Sequence, residues 1–174
     1  MIESALWVMP GSAQGERPFS RFIAPQVSRE TTGWICRRLL WRRDAIQAFE
    51  QESRQTNAMR RGWGFWRYPQ PALLREMIQF SLVHLGQLPS LRAEWLLERA
   101  ESKRPDAEMI ACWMEKDEWA LAEWVRKEAR HYRLAYGCSP LGMEALTEVA
   151  MLLARDRMRQ YRTEHGLAHL NELR

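Results

Sequence analysis

Prolines and glycines recur along this chain at intervals that leave room for helices of a few turns and little else. Pro71 follows a glycine-rich stretch and opens the apolar run ALLREMIQFSLVHL, which Gly86 closes; Pro89 and Pro105 precede two shorter runs, and Gly137 and Pro140 separate two longer ones. Proline is tolerated in a helix's first turn, where its missing N–H has no intrahelical acceptor to lose. Glycine suits the position just past the last turn, where the backbone turns left-handed. The punctuation therefore predicts helices over WICRRLLWRRDAIQAFEQE, PALLREMIQFSLVHL, SLRAEWLLERAES, DAEMIACWMEK, EWALAEWVRKEARHYRLAY and LGMEALTEVAMLLARDRMRQYR. In the first of these, Ile35, Leu39, Ile46 and Phe49 fall on one face at about 100° per residue.

The expected fold is all-α: an irregular bundle of about six helices over residues 34–174, preceded by an extended arm over residues 1–33, which hold three prolines and three glycines. A chain of 174 residues with 46% apolar and 28% charged side chains buries a core as one domain and is not of the disordered class. No self-similarity appears at the roughly 33–47-residue periods of helical repeats, which argues against a regular solenoid.

Cys36, Cys112 and Cys138 are odd in number and far apart, so they read as reduced thiols rather than a disulfide or zinc framework. Glu3 stands where a signal peptide carries a basic residue, and no run reaches the roughly 20 apolar residues of a membrane span. A cytoplasmic protein with no membrane insertion is expected.

Motifs with catalytic chemistry are scarce. Glu128 and His131 make an E-x-x-H pair, but the second such pair of a carboxylate-bridged metal bundle is missing. His165 and His169 are four apart, yet Gly166 stands between them and no third ligand is in sight. There is no nucleophile elbow and no glycine-rich phosphate loop. The chain reads as a non-enzyme with no catalytic residue, no metal site and no cofactor.

Charge supplies the one positive signal. Residues 34–67 hold eight arginines against Asp44, Glu50 and Glu52, so this segment carries +5 of a net +4. Arg37, Arg38, Arg42, Arg43, Arg60 and Arg61 form the candidate basic patch. Aromatic rings are interleaved with it: on a helix Trp41 would face solvent beside Arg37 and Arg38, and Trp63, Trp66 and Arg67 follow in RRGWGFWRY. Tryptophan and arginine are the side chains enriched at protein-interface hot spots, while arginines with stacking rings also suit phosphates and bases. Arginine without lysine fits planar, bidentate contacts with carboxylates as well as phosphates. The leading expectation is a helical adaptor that binds other protein subunits; the alternative is a nucleic-acid-binding subunit using residues 34–67.

Two blocks carry a family resemblance. PFSRFIAPQ (residues 18–26) and WRYPQPALL (residues 66–74) resemble, in that order, the N-terminal signature and the tryptophan–proline–alanine–apolar block of the type III secretion sorting-platform accessory proteins, the SctK/OrgA/MxiK group. The resemblance implies an all-helical cytoplasmic adaptor linking the membrane ring of a secretion machine to its sorting platform, without catalysis or cofactor. With it, Phe22 and Ile23 join Trp41, Trp63, Trp66 and Arg67 as candidate partner contacts.

Overall fold

Trp34–Arg42 forms a strand, β1, and Ala107–Glu115 forms a second, β2; the two pair antiparallel with Arg38 opposite Ala111 at the centre. The structure, a computed structural model, describes residues 33–87, 95, 96, 98, 99, 106–128 and 142–174. Each strand runs into a helix with no residue between them: β1 into α1 (Arg43–Gly62) and β2 into α3 (Lys116–Glu128). The long helices α2 (Gln70–Gln87) and α4 (Met143–Glu164) follow, and a 3-10 turn, Ala168–Glu172, comes after α4. Among the described residues the fold is thus four α-helices, one 3-10 helix and a two-stranded sheet, which corrects the all-α bundle of six helices. Phe22 and Ile23, the arm before Gly33, and most of the expected helix over residues 90–102 lie outside the described residues.

The two strands replace the start of one expected helix and the whole of another, and the reason is a period of two. Leu39 and Trp41 in β1, and Cys112 and Met114 in β2, alternate with exposed neighbours and all turn to the core. The stripe Ile35/Leu39/Ile46/Phe49 mimics a helix only because it straddles the strand–helix junction. Trp41 is therefore not a solvent-facing ring: it is 1% exposed, and its indole N–H donates to the Thr147 hydroxyl on α4 at 3.1 Å. Truncation of so large a buried ring costs about 3–5 kcal/mol. Burial also pushes the Cys112 thiol up to about 12, with Cys36 and Glu118 adding to the shift, so it sits inert in the core.

A longer internal repeat organises the molecule. Trp34 and Ala107, Arg43 and Lys116, and Gln70 and Met143 open equivalent elements, and each pair lies 73 residues apart. Arg38 and Ala111 are themselves 73 apart and face one another, as a local two-fold axis through the sheet requires. The contacts obey the same axis: α2 packs along α4, and α2 meets β2 and α3 as α4 meets β1 and α1. Sequence identity at this offset is sparse, but it includes Asp44/Asp117, Glu50/Glu123, Gly64/Gly137, Ala72/Ala145 and Leu73/Leu146. A 73-residue period exceeds those of helical solenoids, and the repeated unit is a strand and two helices.

The core lies where α2 packs on α4, with Leu73, Met77 and Ile78 of the one and Leu146, Val149 and Ala150 of the other all buried in one cluster. Midway along α1 and near the end of α4, Glu52 and Arg162 form a bidentate ion pair, 2.7 Å at both contacts, in which neither side chain is exposed. Thr56 donates to Glu52, Arg162 donates to Gln55 and Asn171, and Gln55 donates to the carbonyls of Asn171 and Leu173, which ties the 3-10 turn to the helices. Satisfying every remaining donor and lone pair is what makes a buried pair tolerable.

Candidate functional site

The end of α1 builds a corner from a specific hydrogen-bond pattern. Gly64 takes φ +80, a left-handed value that favours glycine, and its N–H donates to the Arg61 carbonyl at 2.9 Å while the Phe65 N–H donates to the Arg60 carbonyl at 3.0 Å. This pair of reversed bonds is the Schellman C-cap, and it throws the chain sharply off the helix axis. Residues 65–69 then run back along α1. Asn57 pins them: its amide donates to the Tyr68 carbonyl at 3.3 Å and its side-chain oxygen accepts the Tyr68 N–H at 2.6 Å.

Arg60 holds the corner from inside. Its guanidinium lies 5.3 Å from the Phe65 ring centre and 4.9 Å from that of Tyr68, and its Nε donates to the Trp66 carbonyl at 3.4 Å. Burial of the guanidinium lowers the Arg60 pKa, opposed in part by Tyr68, and burial raises that of the Tyr68 phenol. Trp63 packs partly against the core. Trp66 does not: its indole is 83% exposed, with Arg61 and Arg67 exposed on the same corner. Of the ring candidates among the described residues, Trp66 is the one presented to solvent, and Trp41 is removed from the site altogether.

The basic patch does not come together as one surface. Arg60 and Arg61 sit at the end of α1, whereas Arg37, Arg38, Arg42 and Arg43 lie on β1 and the first residue of α1, a helix length of about 30 Å away. Most of the latter are neutralised: Arg37 pairs with Glu123 at 3.4 Å, Arg42 with Asp44 at 3.6 Å and Arg43 with Glu108 at 3.8 Å. Exposed pairs of this kind add about 0–1 kcal/mol each, but they spend the charge that a phosphate would need. Arg38 alone of the four stands exposed on the outer face of the sheet without a partner among the described residues.

The histidine pair is also separated. Gly166, at φ +73, ends α4, so His165 caps the helix while His169 lies on the following 3-10 turn. His165 stacks on Tyr161 with ring centres 4.0 Å apart and places Nδ1 2.8 Å from the Tyr161 carbonyl. The side chains of Glu128 and His131 lie outside the described residues. Among the described residues, no three His, Cys, Asp or Glu side chains converge as a metal site would require.

Arg60, expected in a surface patch, instead supports the corner from beneath, as does Asn57, whose eleven-residue reach to Tyr68 follows no helical or strand spacing. No protein-family profile matches the chain, and no curated protein or solved structure matches it significantly.

Proposed function

We propose that the protein is a non-enzymatic, cytoplasmic adaptor that binds another protein through the Trp63–Arg67 corner, with Trp66 as the anchor. The observation that carries this reading is the 83% exposure of the Trp66 indole on a loop held by Asn57 and Arg60. Large rings held in place before binding gain contact area without a heavy cost in ordering, and tryptophan and arginine dominate interface hot spots. Arg61 and Arg67 flank the ring, which favours a partner with carboxylates around an apolar socket. The pairing of Arg37, Arg42 and Arg43 with acids of the same chain favours a protein partner over nucleic acid. The two blocks shared with sorting-platform accessory proteins offer one candidate assembly, a type III secretion system. Among the described residues no helix is long and apolar enough to cross a membrane.

The test is affinity recovery of the tagged protein from its host after nuclease treatment, with the wild type beside Trp66→Ala. The expected result is a protein partner that survives nuclease and binds the variant about thirtyfold more weakly, the equivalent of about 2 kcal/mol. The variant should fold normally because the ring is exposed. Recovery that vanishes with nuclease would replace this reading with nucleic-acid binding.

A further inference from the structure

The two halves of the repeat are not equally closed beside the sheet. At the 73-residue offset, Arg37 of β1 matches Ile110 of β2, Trp119 matches Ile46, and Glu123 matches Glu50. In one half Arg37 reaches from the strand to α3, where its guanidinium lies 4.7 Å from the Trp119 ring centre and 3.4 Å from the Glu123 carboxylate. In the other half both matching residues are isoleucines, and the space stays open as a cleft of about 260 Å³ walled also by Trp41, Phe49, Pro71 and Leu74. Glu50 lines this cleft, is exposed, and has neither ion pair nor hydrogen bond from its carboxylate among the described residues.

The adjoining strand edges differ in the same sense. On the free edge of β1, the N–H groups of Leu40 and Arg42 donate to the carboxylates of Glu144 and Glu148, which α4 supplies one turn apart. The matching residues of α2 are Pro71 and Arg75, which bring no carboxylate to the edge of β2. There the Glu115 N–H instead finds Glu118 Oε1 at 2.8 Å. Hydrogen-bonding direction alternates along a strand, so the N–H and C=O groups of Met109, Ala111 and Trp113 share that outer edge with Glu115. No described residue bonds them. Nor does the edge carry lysine, proline or a bulge, the usual means of blunting an exposed strand.

We propose that this edge and cleft take an extended peptide segment of a partner protein bearing an arginine or lysine. Its backbone adds to β2 beside Ala111, its aliphatic stem lies on Ile46 and Leu74, and its cation meets Glu50. The filled half of the molecule is the template for each contact, since Arg37 already packs its stem and charge on the matching Trp119 and Glu123. Strand addition supplies main-chain affinity, and the cleft supplies the side-chain choice. Glu50 lies ten residues, or about 15 Å, along α1 from Arg60, while the chain leaving the Trp66 corner reaches the cleft wall at Gln70 and Pro71.

The test uses two fluorescent pools of short peptides, alternating valine and threonine at random around a fixed central arginine or a fixed central glutamate. Anisotropy with the full-length protein should show saturable binding of the arginine pool and at least tenfold weaker binding of the glutamate pool. Glu50→Lys, a surface change, should weaken the arginine pool at least tenfold. So should Ala111→Pro, which removes an edge N–H without breaking the β1–β2 ladder. Equal binding of the two pools, no saturation, or indifference to both substitutions would overturn the proposal. So would loss of the peptide in Trp66→Ala, which would place it on the corner. Sedimentation of the free protein supplies the remaining arm: a dimer that Ala111→Pro converts to monomer would mean that a second copy occupies the edge.

Discussion

The half that begins with β1 and the half that begins with β2 follow one backbone plan and solve its polar problems differently. Where the first buries Glu52 against Arg162, the second has Val125 at the matching position, fully buried with no charge to satisfy. Where the first lines up Leu39 and Trp41 under the sheet, the second uses Cys112 and Met114. Some positions stay alike in both sequence and burial: Leu73 and Leu146, one turn into α2 and α4, are both leucine and both buried. The shared plan therefore rests on where apolar side chains fall and on strands that enter helices without a loop, while specific polar pairs are local solutions that one half can do without.

The largest effect should come from separating the ion pair. Arg162→Leu leaves the Glu52 carboxylate buried alone and should cost about 3–5 kcal/mol in urea unfolding. Adding Glu52→Val, which copies the chemistry of Val125, should recover most of that loss, because apolar replacement of a whole buried pair is often neutral. A double variant as unstable as the single one would show that the two halves do not tolerate the same solution at this position. Next in size are Leu73→Ala and Leu146→Ala. Each empties a matched buried position and should cost about 2–5 kcal/mol, with the two values within about 1 kcal/mol of each other. A large cost at one site only would break the equivalence on which the repeat stands.

The smallest effect concerns Glu123, the acid that is paired where Glu50 is not. Burial pushes its carboxyl up, but hydrogen bonds and charge from Arg126 and Arg37 outweigh this and hold it below the ordinary value of 4.5. A depressed folded-state pKa contributes stability that is present above the unfolded value and lost as pH falls through the folded one. An NMR titration should therefore place the Glu123 midpoint below 4.5, and Arg37→Ala should move it upward. An unmoved midpoint would remove Arg37 from the pairing and with it the template for the open cleft.

Much of the helical framework is written in turn residues. Pro71 marks the first turn of α2, and the long apolar runs of α2 and α4 read as helices in the sequence. The strands were hidden for a physical reason. At Arg42–Arg43 and at Glu115–Lys116 a strand passes into a helix without glycine, proline or any turn residue, so nothing in the sequence marks a change of period. Ile35 and Leu39 also satisfy part of a helical stripe that Ile46 and Phe49 continue. Of the candidate site, the exposed Trp66 corner could be read from RRGWGFWRY, whereas the cleft could not, because Ile46, Leu74 and Ile110 meet only after two strands far apart in the chain have paired.

That separation has a consequence for how the molecule is made. Arg42 pairs with Ala107 and Trp34 with Glu115, so β1 has no sheet partner until β2 has been synthesised and has left the ribosome. At about 5–20 residues per second, the 73-residue offset leaves β1 waiting for about 4–15 s. Through that interval Trp41 lacks both its ladder and, until α4 follows, the Thr147 hydroxyl. Translation speed from α1 through β2 thus sets how long a nascent chain displays an adhesive strand to its neighbours.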